Sequence, residues 1–516
     1  MDSPNKRARL TCHLDAQQRH VVELCGQGRN VFFTGMGGTG KTFVLQEIVQ
    51  LLRRRHGKDK VAVTAPTGVA SIVCQGQTLH SLAGCGVPTY VSDFQKCYKY
   101  KQRWGVMKVL IIDEVSMLQP SYIDWLDQTI RHIRNRPTEA FGGIQLILCG
   151  DFGQLPGISS GVSLQRECPA ASDHEIPVNV LECPGSVFQT AFWRDARFEV
   201  AELTTVFRQS EVAMVEVLGK VRRGVLDDQV REFMAGCARP LDDQGEIKPT
   251  VLFARNTDVD ARNALNLSLL EGPSVVFEAA DKVEADNSAL ARQLERDAFF
   301  SSNPLIPKTL ELRVGAQVML TKNLEPGDSV DRLVNGSCGI VKRFVPLEEV
   351  VSRLKLEERD AAKALGGMMP EVLFANGRTR ICFPETFEKT VYMTGVCKRA
   401  QVPLKLAWAL TIHKSQGESL DRVCVDLSGC FAPGQAYVAL SRARTREGLC
   451  VVGFGASVVK ADPLAIGFHD ALTAGTLPAF VDKAPMWWAP ILQCNKPEWA
   501  ALFNKAAAFR RWSGVV

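Results

Sequence analysis

No stretch of the 516-residue chain approaches the roughly 20 consecutive apolar residues that a membrane-spanning helix needs, so no membrane role is expected. The amino-terminal residues also lack the apolar run of a signal peptide. The 16 cysteines include no C-x-x-C pair, so neither a zinc site nor a disulfide framework is signalled, and a reducing compartment fits best. Internal repeats and low-complexity tracts are missing, which removes repeat architectures. Charge of one sign is in small excess. The net +5 permits a nucleic-acid partner without arguing for one. What remains is ordinary: 46% hydrophobic and 23% charged residues, as in soluble globular proteins. The length suggests about three or four domains.

Against that plain background one stretch stands out, Val31-Phe32-Phe33-Thr34-Gly35-Met36-Gly37-Gly38-Thr39-Gly40-Lys41-Thr42. It reads as a buried strand, a glycine-rich turn and a helix beginning near Gly40. The turn matches G-x-x-x-x-G-K-[ST]. Its glycines, Gly35, Gly37, Gly38 and Gly40, with Thr39 between them, let successive backbone N–H groups point into one concave nest. The helix N-terminus adds partial positive charge. Lys41 can reach β- and γ-phosphates, and the Thr42 hydroxyl can sit on Mg²⁺. The expected ligand is a nucleoside triphosphate.

Further strands and loops follow in order. A helix over 14–25 has Asp15 as its N-cap, and Gln18 carries an amide able to bond both edges of an adenine. A second strand, 60–66, ends in Thr67-Gly68 and leads to Thr78-Leu79-His80-Ser81, small polar residues suited to phosphate–sugar contacts. Residues 89–103 interleave Lys and Tyr, which suits either a nucleic-acid-facing element or a solvated loop. The third strand, Val109-Leu110-Ile111-Ile112, closes on Asp113-Glu114, about 70 residues beyond the phosphate loop. There Asp113 can hold Mg²⁺ through its water shell, and Glu114 can orient or deprotonate a water. A fourth strand runs into Asp151-Phe152-Gly153-Gln154, where an amide could sense the γ-phosphate. Phe207-Arg208-Gln209 puts an arginine at the edge of a new segment.

A second α/β unit starts at 250–254, and residues 271–307 read as charged and irregular. Short β signals with Asn335-Gly336 and Asn376-Gly377 turns suggest a small barrel-like insertion over 312–400. The α/β pattern resumes at 405–417, through Ile412-His413-Lys414-Ser415-Gln416-Gly417, and continues to Tyr437-Val438-Ala439-Leu440-Ser441-Arg442. The tail beyond 460 offers no chemistry. At the other end, residues 1–10 are basic and short, a disordered tip or a nuclear address.

Taken as an ordered set, these motifs resemble superfamily 1 helicases of group B, and within them the petite integration frequency (PIF) family of 5′-to-3′ DNA helicases, relatives of RecD. The resemblance covers about residues 12–455 and includes Glu114-Val115-Ser116-Met117-Leu118, similar to that family's own signature. It implies an α/β fold of two RecA-like P-loop motor domains with an SH3-like β-barrel inserted in the second. The domains would be a flexible 1–11; a first motor domain, 12–200, with a wedge element near 85–105; a second motor domain, 201–311 with 401–460; an insertion, 312–400; and a segment of unknown role, 461–516.

Carried over position by position, the resemblance implies that Gln18 contacts adenine and that Lys41, Asp113, Glu114, Gln154, Arg208 and Arg442 serve catalysis. Thr67, Gly68, Thr78, His80, His413 and Lys414 would grip single-stranded DNA. ATP and Mg²⁺ are the implied cofactors. Single-stranded and forked DNA are the implied partners, with G-quadruplex and RNA–DNA hybrid as candidates, and a resting monomer is expected. Implied roles are replication, DNA repair, recombination and telomere maintenance, in a nuclear or mitochondrial setting, with viral or cytoplasmic settings open. Three positions depart from the family pattern: Gln17 for a frequent glutamate, Gly153 for a bulky residue, Gly157 for a second proline.

Mechanistically, Arg208 and Arg442 on a second domain would mean that ATP is fully caged only when two domains close, so hydrolysis could drive movement along a strand. Two other classes stay open: a nucleotide-gated single-strand-binding ATPase without unwinding, and a protein-remodelling ATPase. The present coupling residues weigh against the first and the strand-gripping motifs against the second.

Overall fold

The computed structural model describes residues 14–489 with Gln493 and Glu498, leaving out 158–162, 164, 166–175, 181–184, 242–245, 302–305, 323, 325–332, 334, 352–358, 360, 361, 364 and 392–394. The segment 1–11, expected to be flexible, lies outside the described residues. The chain forms two units, Met1–Val206 with Ala461–Val516, and Phe207–Lys460.

The first unit is built on a parallel sheet of six strands: β1 (Val31–Gly35), β2 (Val61–Ala65), β3 (Gln77–Thr78), β4 (Val109–Ile112), β5 (Gln145–Cys149) and β6 (Glu199–Leu203). Their spatial order is β3-β2-β4-β5-β1-β6, and every pairing is parallel. The central strands are nearly unbroken apolar runs because both faces of such a sheet are covered. Val44, Leu45, Ile48 and Leu52 from the helix Lys41–His56 join Val31, Phe33, Val61, Val63 and Ile111 in one core. The helix Ala16–Gly26 opens with a capping box, Asp15 accepting the Gln18 amide and Gln18 accepting the Asp15 amide.

Since all six strands run the same way, the loops that carry the sequence motifs emerge at one edge, the carboxyl edge, where open parallel sheets bind ligands. The register sets their levels. Ile112 pairs with Leu148 and Phe33 with Cys149, so Asp113 leaves the sheet beside Cys149.

The stretch of alternating Lys and Tyr is helical, a 3₁₀ helix Val91–Tyr100 and a helix Lys101–Val106. Phe94, Cys97 and Trp104 are buried, and Arg103 donates to the Leu82 carbonyl beneath the Tyr100 ring. Part of it is therefore core. The described part of the tail is helical as well. Helices Pro463–Thr473 and Leu477–Lys483 follow the second unit in sequence yet belong to the first. Asp462 caps the former, and Phe468 enters an aromatic cluster with Phe32, Phe152, Phe188 and Trp193.

In the second unit a four-stranded parallel sheet runs Ala409–Thr411, Thr250–Phe253, Val423–Asp426, Leu449–Val452. Antiparallel strands fill the sequence between its first two members. Thr379–Ile381, Met368–Phe374, Cys338–Pro346, Gln317–Leu320 and Leu404–Leu406 form a five-stranded sheet. Glu385–Val391, Gly395–Gln401 and Ala280–Glu284 form a three-stranded one.

Two expectations change here. Residues 271–307 are not irregular throughout, since they hold strands Val275–Glu278 and Ala280–Glu284 and the helix Ser288–Glu295. Asp281 meets Arg399 from 118 residues away, a pairing that local pattern does not announce. The α/β pattern resumes at Ala409 rather than 405, because Leu404–Leu406 pairs with Gln317–Leu320. No described helix is long and apolar enough to cross a membrane. The cysteines are not all isolated either: Cys424 and Cys450, in register on adjacent strands, bring their sulfurs to 3.4 Å as free thiols.

Candidate functional site

The phosphate loop is built as its spacing requires. Gly38 and Gly40 adopt φ of 94° and 81°, left-handed values that a side chain would strain, and the helix starts at Lys41. Thr39 donates its hydroxyl to the Met36 carbonyl at 2.9 Å. Lys41 Nζ donates to the carbonyls of Gly35 at 2.7 Å and Met36 at 3.1 Å, so its ammonium lies within the loop. Thr42 stands in the first helical turn, and Gly35 and Gly37 are buried in the loop. Gln18 is buried, and its amide donates to the Thr39 carbonyl at 3.3 Å while also serving the capping box. That tie holds the preceding helix against the loop. Gln17 both accepts the Thr204 amide and donates to its hydroxyl, and a carboxylate could not make the second bond.

Asp113 is buried at the end of β4. Burial raises its carboxyl above the usual range, while the Cys149 thiol, the Glu114 amide and the Lys41 charge pull it back. Lys41 and Asp113 thus share one site. Glu114 sits at φ 50°, in the left-handed region, and its N–H donates to Asp113 Oδ1 at 2.9 Å. A Cβ on Gly150 would come within 2.9 Å of the Val115 nitrogen, so only glycine lets the β5 exit pass this turn. Asp151 is wholly buried and organises the next loop. It accepts the Gly153 amide at 2.9 Å and the Gln154 side-chain amide at 3.4 Å.

In the second unit Arg208 and Arg442 converge. Arg208 donates to the carbonyls of Ser441 and Gly417, and Arg442 to the Ser441 hydroxyl and the carbonyls of Val438, Ser415 and Glu418. Gln209 donates to Ser441 and Ala443 carbonyls. A buried Lys405–Glu418 ion pair of 2.7 Å fixes the same loop.

The residues assigned to strand gripping fall into two groups. In the first unit Thr67 and Thr78 cap the short helices Gly68–Val73 and Leu79–Ala83 by accepting the amides of Ala70 and Ser81. His80 packs its ring 4.2 Å from Tyr122, and burial pushes its pKa down to about 4. In the second unit, His413 and Lys414 follow Ala409–Thr411, the Lys414 amide donating to Thr411 Oγ1. Burial lowers the His413 pKa as well.

Sequence reasoning missed His469, whose Nε2 lies 3.5 Å from Asp151 Oδ1, and gave Asp151 and Cys149 no task. The strand register adjacent to Asp113 could have found Cys149. Nothing local to His469 signals its contact.

A profile described as PIF1-like helicase matches residues 13–217, and one for the 2B domain of DNA helicase Pif1 matches 300–344. The ATP-dependent DNA helicase PIF1 of Emericella nidulans is 36% identical over 494 residues, 88% of this chain and 62% of that protein. Its Xenopus laevis counterpart is 34% identical over 507 residues, 93% of this chain and 69% of that protein. The chain therefore spans under 70% of the length of either. Among solved structures, Pif1 helicase from Candida albicans gives a TM-score of 0.65 at 34% identity, over 89% of this chain and 99% of that one. Bacteroides sp Pif1 in complex with ADP-AlF4 gives 0.67 at 28%, over 90% and 97%. Bacteroides Pif1 bound to ssDNA gives 0.55 at 28%, over the same 90% and 97%.

Proposed function

The chain belongs to the PIF1-like helicase family, and from that premise we propose that it is an ATP-dependent DNA helicase that moves 5′-to-3′ on single-stranded DNA. It unwinds duplex or structured DNA in genome maintenance. The observation that carries the reading is the gathering of Lys41, Asp113 and the Asp151-anchored Gln154 at one edge of a parallel sheet.

The assigned chemistry is phosphoryl transfer from ATP to water. The loop amides and Lys41 hold the phosphates, Gln18 faces the adenine, and Glu114 orients the attacking water. Thr42 and Asp113 would hold Mg²⁺, which would supply positive charge to the phosphates. One hydroxyl and one carboxylate beside a phosphate chain are the sparse set that this ion takes, and Asp113 lies within reach of the Lys41 charge. Arg208 and Arg442 stabilise the charge that develops on the transferred group, and Gln154 relays its loss.

Thr67, Gly68, Thr78, His80, His413 and Lys414 grip the strand. Single-stranded and forked DNA are the partners, in line with Bacteroides Pif1 bound to ssDNA and with a structure described as the basis for DNA unwinding at forked dsDNA by two coordinating Pif1 helicases. G-quadruplexes and RNA–DNA hybrids are further substrates, and the resting protein is a monomer in the nucleus or mitochondrion. The two parallel-sheet units are RecA-like motors, and part of the antiparallel insertion is an SH3-like barrel.

The test is ATP hydrolysis with and without single-stranded DNA. Lys41→Ala should abolish turnover while leaving strand binding measurable. Full turnover in that variant removes the phosphate-loop assignment.

A further inference from the structure

The tail that carries no sequence motif touches the residues that hold the γ-phosphate-sensing loop. His469 Nε2 lies 3.5 Å from Asp151 Oδ1, both groups buried, and the same Asp151 carboxylate receives the Gly153 amide and the Gln154 side chain. One residue earlier, Phe468 packs edge-on to Phe152 at 5.1 Å and stacks on Phe188 at 4.8 Å. Two neighbouring residues of one helix thus contact two neighbouring residues of the loop, one through polar atoms and one through rings.

The segment that follows this helix is anchored to the first unit as well. Trp487 Nε1 donates to Asp124 Oδ2 at 2.8 Å, Arg194 donates to the carbonyls of Val481 and Ala484, and the Gln189 side chain donates to the Pro485 carbonyl. These contacts hold the segment next to the helix whose His469 meets a carboxylate that receives the Gln154 side chain.

We propose that residues 463–487 are a positioning element for the 151–154 loop, with His469 and Phe468 setting the Asp151 and Phe152 geometry from which Gln154 acts. This rests on the helicase reading of Gln154. His469 is a positioning residue, since it acts through Asp151. Rotating or releasing Asp151 would leave ATP held by the phosphate loop yet misplace the group that senses it, and misplacement of about 1 Å can cost up to ~10²-fold in rate.

The test measures kcat and KM for ATP, with and without a single-stranded oligonucleotide, on the full chain and on His469→Ala and His469→Gln. Amide hydrogen exchange at Gly153 and Gln154 is followed alongside. His469→Ala should lower DNA-stimulated kcat by ~10-fold with KM for ATP within ~2-fold, and should speed exchange in the loop. His469→Gln should restore most of the rate, since its amide nitrogen can donate to Asp151 from about the same place. Wild-type rates and exchange in His469→Ala overturn the proposal, as does an equal loss in both variants that tracks a fall in Tm. Absence of DNA-stimulated hydrolysis in the unaltered chain overturns the helicase reading, and this inference with it.

Discussion

Arg208 and Arg442 meet at Ser441, Arg208 Nη1 donating to its carbonyl at 3.1 Å and Arg442 Nη2 to its hydroxyl at 2.7 Å. They differ in what else they do. Arg442 is 1% exposed and also serves the carbonyls of Val438, Ser415 and Glu418, whereas Arg208 is half-buried and donates to the Gly417 carbonyl besides that of Ser441. Removing Arg442 strands buried acceptors, at a cost of about 2–4 kcal/mol in stability.

Arg208→Ala is therefore the cleaner test of an arginine finger. It should lower kcat by ~10²-fold or more, with ATP binding nearly normal and Tm little changed. Arg442→Ala should lose both rate and Tm. Unchanged kcat in Arg208→Ala removes its catalytic assignment.

Gly157, one of the departures from the pattern that the sequence resembles, has a reason in the fold. A Cβ there would come within 2.8 Å of the Met117 carbonyl oxygen, a backbone atom that cannot swing aside. Gly157→Pro should destabilise the first unit by about 1–3 kcal/mol, read as a lower urea midpoint. An unchanged midpoint contradicts the close approach.

His80 supplies a pH test. Burial takes its pKa from 6.5 down to about 4, so between those values the unfolded chain binds a proton that the folded chain does not. Its contribution to stability is complete above pH 6.5 and declines as pH falls toward 4. His80→Phe, which keeps a ring beside Tyr122, should lose less stability than the unaltered chain between pH 7 and pH 5. Parallel losses in the two proteins contradict the burial of a neutral imidazole.

How legible all this was depended on how local the cause is. Lys41 and Asp113 were readable because a glycine-rich turn and an apolar strand ending in acids each fit within a few residues. The helix starting at Lys41 and the capping box at Asp15 were visible for the same reason. The strands within 271–307 were not, because Ala280–Glu284 draws its order from Gly395–Gln401. The His469 contact was hidden for the same reason, as it joins residues 318 positions apart that no periodicity links. Thr67 and Thr78 show a third case. Their side chains have capping tasks that a motif reading assigns wholly to DNA.

The most direct measurement of the central claim is strand separation on two partial duplexes, one with a 5′ and one with a 3′ single-stranded tail, in ATP and Mg²⁺. Unwinding from the 5′ tail alone is the expected result. DNA-stimulated ATP hydrolysis without strand separation from either tail would contradict it, and leave a nucleotide-gated binding protein in place of a motor.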